Sequence, residues 1–171
     1  IGSVWMVFLL YMVLLLVVSV IAGIFIPKMK PSLLFALPVT LCILGYGYRN
    51  YRHPKVEHID ISLEKEGAPV RIVAVSDVHL GYGTGVSALK KYVEKINARN
   101  PDLILIAGDL IDNSVTPLLN EPFAEVLSAL QAPMGIYMVP GNHEYISGID
   151  ACMDFLKDTP ITVLRDSIVT L

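Results

Sequence analysis

No charged residue occurs from Ile1 to Pro27, and Ser3–Ile26 forms one unbroken apolar run. Coiled as a helix at about 1.5 Å per residue, that run covers the ~30 Å hydrocarbon core of a bilayer. A signal peptide fits less well, because its apolar region is typically only about 7–15 residues and follows a basic stretch. Lys28, Met29 and Lys30, flanked by Pro27 and Pro31, form a polar turn, after which Pro31–Tyr48 is again uncharged. The pattern predicts a transmembrane hairpin over residues 1–50, with spans at about 3–26 and 31–48. Pro38 is placed to kink the second span, and Tyr46, Tyr48 and Tyr51 stand where an interfacial aromatic belt belongs. Lys28 and Lys30 in the turn face Arg49, Arg52 and Lys55 beyond the second span, a balance that leans toward a cytoplasmic C-terminal part.

After residue 50 the pattern changes. Residues 51–69 read as a linker and a first edge strand, with Val56, His58, Ile59 and Ile61 suggesting alternation. From Val70 a regular order begins. Val70–Ser76 is a near-continuous apolar strand; Val86, Leu89, Val93 and Ile96 follow at helical spacing, and Asn100-Pro101 stops the helix. Leu103–Ala107 predicts a second strand, Phe123–Leu130 a helix, and Ile136–Val139 a third strand. Ser147 is the expected cap of a helix carrying Ile149, Cys152, Met153 and Leu156. Ile161–Leu164 predicts a fourth strand, and Ile168–Leu171 begins another. Strands alternating with helices define an α/β class with a mainly parallel sheet buried on both faces.

Composition sharpens this division. The 171 residues are 54% hydrophobic and 17% charged, with mean hydropathy +0.59, below the roughly one quarter charged of soluble domains. The apolar excess lies in the first 50 residues. A net charge of −3 and a pI near 5.8 offer no basic footprint for nucleic acid. Two cysteines, Cys42 and Cys152, make no disulfide framework.

The unusual residues fall where ligands bind in parallel sheets, beyond the carboxyl ends of strands. The first strand runs into Ser76-Asp77-Val78-His79, the second into Gly108-Asp109-Leu110-Ile111-Asp112, and the third into Gly141-Asn142-His143-Glu144. An aspartate after a strand is often only a helix N-cap, and a lone histidine is more often surface than ligand. Three such loops in succession, bringing carboxylate, imidazole and amide groups to one sheet edge, outweigh those readings. Mixed oxygen and nitrogen donors suit Mn, Fe or Zn better than a calcium cage.

Asp-x-His, Gly-Asp-x-x-Asp and Gly-Asn-His-Glu, each behind a buried strand, resemble the calcineurin-like metallophosphoesterase superfamily over about residues 70–171. The resemblance implies the first part of an α/β sandwich with two central sheets and a site for two divalent metal ions. Asp77 and His79 would hold the first ion, Asp109 would bridge both, and Asn142 would hold the second. His143 would act on the phosphate as acid or hydrogen-bond donor, while Asp112 and Glu144 would brace the ligands. The family completes its site with further histidines, including a Gly-His-x-His motif, and no histidine follows His143 here. The expectation is therefore a sequence that continues past Leu171 and a fragment that is inactive alone. The expected partners are a lipid bilayer and a phosphomonoester, phosphodiester or pyrophosphate, lipid or cell-envelope in one version, and no nucleic acid. The competing reading is a non-catalytic membrane scaffold with an incomplete metal site.

Overall fold

The computed structural model describes residues 2–26, 32–62, 64 and 67–170. The expected turn at Pro27–Pro31 lies outside them. Two compact units result, Ile1–Ser62 and Leu63–Leu171.

In the first unit, α1 (Gly2–Phe25) and α2 (Leu33–Tyr51) pack against each other. Small residues make the seam: Ser19 is 4% exposed and Ala36 and Thr40 are fully buried, which lets the backbones approach. The Ser19 hydroxyl donates back to the Leu15 carbonyl at 2.7 Å. Large apolar side chains of α1, from Val4 to Phe25, otherwise point into open space, a distribution suited to lipid rather than water. Among the described residues α1 is the one helix long and apolar enough to cross a membrane, over Val4–Phe25 with mean hydropathy 2.9. The second predicted span is helical and runs through Pro38, but it continues to Tyr51 and takes in Arg49 and Asn50, which lowers its apolar content below a span's.

The edge strand expected around Val56–Ile61 does not form: the segment has no regular structure, and Ile59 and Ile61 are each 79% exposed. Alternation fits a strand only where a neighbour supplies hydrogen bonds, and among the described residues none does. The same holds for 168–170.

The second unit is built on four parallel strands in the order β1-β2-β3-β4: Ile72–Val75, Leu103–Ala107, Ile136–Val139 and Ile161–Val163. The register pairs Ile72 with Leu103, Ile104 with Ile136, and Ile136 with Ile161. Five helices connect them among the described residues: α3 (Val86–Asn97), α4 (Thr116–Asn120), α5 (Phe123–Leu127), α6 (Asn142–Ile146) and α7 (Ile149–Leu156). Period-2 alternation sends Ile104, Ile106, Ile136 and Met138 toward Leu89 and Val93 of α3, Phe123 and Leu127 of α5, and Phe155 and Leu156 of α7. Each such fully buried side chain contributes about 1.5–3 kcal/mol.

Only one sheet face is covered, which corrects the expectation of burial on both. Ile72, Leu105 and Val139 on the other face are 52%, 37% and 48% exposed. The helical connections all lie on one side of the sheet, and the described residues include a single sheet.

Polar ties fix the loop ends opposite the site. The Arg71 N–H donates to Asp102 Oδ2 at 2.7 Å and its guanidinium donates to the Arg99 carbonyl at 2.9 Å. Asn97, at the end of α3, donates to the Ala129 carbonyl and accepts from the Gln131 N–H.

Candidate metal centre

The four-stranded order places the carboxyl ends of β1, β2 and β3 side by side, so the loops after them meet. Backbone bonding continues past the strands: the His79 N–H donates to the Asp109 carbonyl at 3.0 Å, Leu80 to Leu110 at 2.7 Å, and Asp112 to Leu80 at 2.9 Å. Within this framework three of the five non-glycine residues with positive φ among the described residues are the sequence candidates Asp77, His79 and Asp109, at 54°, 50° and 53°. Left-handed backbone outside glycine costs on the order of 1–3 kcal/mol per residue and collects at functional sites.

The third loop closes against the second through two glycines. A side chain at Gly141 would collide with Asp109 Oδ1, and one at Gly108 would meet the Gly141 Cα at 2.8 Å. Asn142 and His143 then begin α6, a helix that the periodicity did not reveal because it is five residues long. Glu144 turns inward, fully buried. Its Oε2 accepts the N–H groups of Asp109 (3.0 Å) and Gly141 (2.7 Å), and its Oε1 that of Ile111 (2.9 Å). One carboxylate thus ties the loop bearing Asp109 to the loop bearing Asn142 and His143.

Side chains converge accordingly. His79, Asp109 and His143 each offer one ligand atom within 4.8 Å of the others. The two imidazoles meet edge to face, centroids 4.4 Å apart at 79°. Asp77, its side chain 68% exposed, sets Oδ1 3.9 Å from His79 Nε2, somewhat beyond the ~3.4 Å between two tetrahedral ligands each ~2.1 Å from one ion. Asp112 Oδ1 lies 3.4 Å from His143 Nδ1 and 3.7 Å from His79 Nδ1. Asn142 is exposed at the head of α6. Asp109 is not a helix N-cap, the cap of α6 being Gly141, but its Oδ1 accepts the His143 N–H from the neighbouring loop at 2.9 Å.

A divalent cation fits these residues. The donor set is mixed imidazole and carboxylate, and the Nδ1 atoms of His79 and His143 are buried without a hydrogen-bond partner, a condition native proteins rarely tolerate.

Ser147 corrects a sequence expectation. It ends α6 rather than capping α7, whose N-cap is Gly148. Its hydroxyl donates to the carbonyl of Asp112 and, at 2.6 Å, to that of His143. The available signal was its place four residues after His143, the spacing of a side-chain bond back to the helix backbone.

Behind the site, Cys152 is fully buried, with Sγ 3.6 Å from the Glu144 carbonyl. Burial pushes its thiol pKa up, a hydrogen bond from Ser147 opposes this, and the nearby Glu144 charge adds to it. Since the thiolate is the nucleophile, Cys152 should resist alkylation near neutral pH. In a Cys42→Ser chain, maleimide should label only after unfolding; labelling of the folded chain at the rate of a free thiol contradicts this placement.

A parallel α/β sheet with carboxylates and imidazoles delivered by three successive strand ends defines an α/β domain with a candidate metal centre. The calcineurin-like phosphoesterase family matches residues 70–167, and the chain belongs to it. It is similar to an uncharacterized metallophosphoesterase of Helicobacter pylori, 33% identical over 135 residues covering 77% of this chain and 36% of that protein. It is similar also to a transmembrane protein with metallophosphoesterase domain from Danio rerio, 34% identical over 77% of this chain and 31% of that protein. An uncharacterized metallophosphoesterase of Aquifex aeolicus is 31% identical over 78% of this chain and 51% of its own length. The chain spans about a third of the length of the first two relatives.

Proposed function

We propose that the chain provides the metal-binding half of a metal-dependent phosphoester hydrolase held at a membrane by α1. The observation that carries this reading is the convergence of His79, Asp109 and His143 within 4.8 Å on loops whose backbone is held left-handed at Asp77, His79 and Asp109. Asp77 and His79 would hold a first divalent ion, Asp109 would bridge to a second, and Asn142 would bind the second; Mn, Fe and Zn all suit such donors. A metal pair supplies a water of lowered pKa and neutralises phosphoryl oxygens during in-line attack.

The remaining residues orient this set. Glu144 fixes the backbone of Asp109 and Gly141, and Ser147 ties the Asp112 loop to α6. His143 presents its ring to the site while Asp112 Oδ1 lies 3.4 Å from its Nδ1, and the imidazole would act on the phosphate as acid or hydrogen-bond donor. The substrate is a phosphomonoester, phosphodiester or pyrophosphate, and a bilayer is the expected partner. A second crossing by α2 rests on the uncharged run Pro31–Tyr48, and a cytoplasmic side for the α/β unit on the balance of Lys28 and Lys30 against Arg49, Arg52 and Lys55.

His143 also lies close enough to count as a ligand, and one variant separates the two roles. As proton donor, His143→Ala should keep its metal while turnover in the full-length protein, measured on generic phosphoesters with Mn2+, falls about 10²–10⁴-fold. Loss of bound metal moves His143 into the ligand set. Wild-type protein with metal bound and no phosphoester turnover would instead favour the scaffold reading.

A further inference from the structure

The loops that surround the candidate metal centre carry four large exposed side chains: Tyr82 at 84%, Leu119 at 70%, Tyr145 at 57% and Ile146 at 61%. In the described part of the α/β unit, the other exposed large hydrophobics belong to the open sheet side and its approach (Val70, Ile72, Leu105, Val139) or to the tail (Ile168, Val169). Leu119 lies in α4 and Tyr145 and Ile146 in α6, whereas the outer side of α3 exposes Lys90, Lys91 and Glu94 instead.

The segments that carry the four residues meet around Asp112. The position of a Cβ on Gly81, next to Tyr82, lies 3.4 Å from Asp112 Cβ and 3.9 Å from Pro117 Cγ, two residues before Leu119. The Ser147 hydroxyl, just after Tyr145 and Ile146, donates to the Asp112 carbonyl. Asp112 in turn faces both imidazoles of the site. The stretches 80–89, 113–120 and 145–149 hold no Asp, Glu, Lys or Arg, the acidic groups beside them being the site's own Asp112 and Glu144 and the flanking Glu121 and Asp150. Solvated loops beside a polar site ordinarily carry charges, and entry into a lipid headgroup layer is easiest for a surface that has none to desolvate. Two of the four are tyrosines, whose apolar ring and polar tip suit the membrane–water boundary.

What covers this rim is indicated by the same chain. Helix α1 has the length and hydropathy of a bilayer span, and the 20 residues between the end of α2 and the start of β1 extend to at most roughly 65–70 Å. We propose that Tyr82, Leu119, Tyr145 and Ile146 form a membrane-docking rim that seats the mouth of the metal centre in the lipid headgroup layer, so that the phosphoester is taken from a lipid headgroup. The inference rests on the proposed membrane anchor and deepens it.

The chain's single tryptophan, Trp5, lies in α1, so one experiment reads anchor and rim separately. The full chain is reconstituted in vesicles of phosphatidylcholine brominated on its acyl chains, and tryptophan emission is compared with that in unbrominated vesicles. Trp5 in the unaltered chain reports the anchor. Tyr82→Trp in a Trp5→Phe background reports the rim, and Lys91→Trp in the same background reports the outer side of α3. The expected result is that Trp5 and the Tyr82→Trp probe lose most of their emission to bromine, the latter with a blue shift, while the Lys91→Trp probe is unaffected. Quenching of Trp5 without quenching at position 82 overturns the rim and leaves the anchor standing. Equal quenching at 82 and 91 also overturns it, since the unit would then be adsorbed without a preferred face. An unquenched Trp5 removes the anchor and the inference with it.

Discussion

Asp109→Asn should strip the protein of metal while leaving the α/β unit folded, and Asp109→Ala should do so with added damage to the backbone. The two variants separate the proposed bridging role of Asp109 from its bond to the His143 N–H. Asp109 Oδ1 accepts the His143 N–H at 2.9 Å, which an asparagine carbonyl can also do, whereas bridging two cations needs the anionic carboxylate. Alanine loses both functions and leaves a part-buried N–H unpaired, at about 1–3 kcal/mol. Either change should abolish metal-dependent hydrolysis in the full-length protein. Asp112→Ala, which removes a carboxylate standing 3.4–3.7 Å from the two imidazoles but outside the proposed ligands, should cost about 10–100-fold, as loss of a residue that orients ligands does. Kinetics with metal content measured on each variant checks this; equal residual activity in the Asp109 and Asp112 variants would sink the assignment.

The second large effect is expected at Glu144, a residue with no surface exposure. Glu144→Leu would leave the N–H groups of Asp109, Ile111 and Gly141 without their acceptor. At about 1–3 kcal/mol for each buried donor, the loss is a large part of the 5–15 kcal/mol that holds a typical domain together. Glu144→Gln is the sharper variant. Its amide oxygen can occupy the Oε2 position and keep the bonds to Asp109 and Gly141, which puts the NH2 group against the Ile111 N–H. Hydrogen exchange should therefore quicken mainly at the Ile111 amide in Glu144→Gln and at all three amides in Glu144→Leu. Unchanged exchange at those amides in both variants would remove Glu144 from its bracing role.

The parts legible in the sequence were those governed by local pattern. Four strands, the helices α3, α5 and α7, and the three candidate loops could be read because buried parallel strands are continuous apolar runs, the helices carry apolar residues at helical spacing, and the site residues follow directly at the strand ends. Two other short elements were not legible. Helices α4 and α6 are five residues each, too short for a helical period, and α6 is held by Glu144 and Asp109 rather than by propensity. Ser147 looked like a cap because serine before an apolar helix usually is one; its role depends on Asp112, 35 residues away in sequence. Residues 56–61 alternate as a strand would, yet alternation describes a surface, and its pairing lies with other chain segments. Nor could local pattern show that one sheet face stays open: Leu105 and Val139 read as core positions in any parallel strand.

The most direct test of the central claim, that the loops after β1, β2 and β3 form a metal centre, is a Mn2+ titration of the purified full chain followed by electron paramagnetic resonance, which distinguishes aqueous from bound manganese. The wild-type chain should remove the sharp aqueous signal at Mn2+ concentrations where Asp109→Asn, folded by circular dichroism, leaves it intact. Superimposable titrations of the two chains would contradict the account.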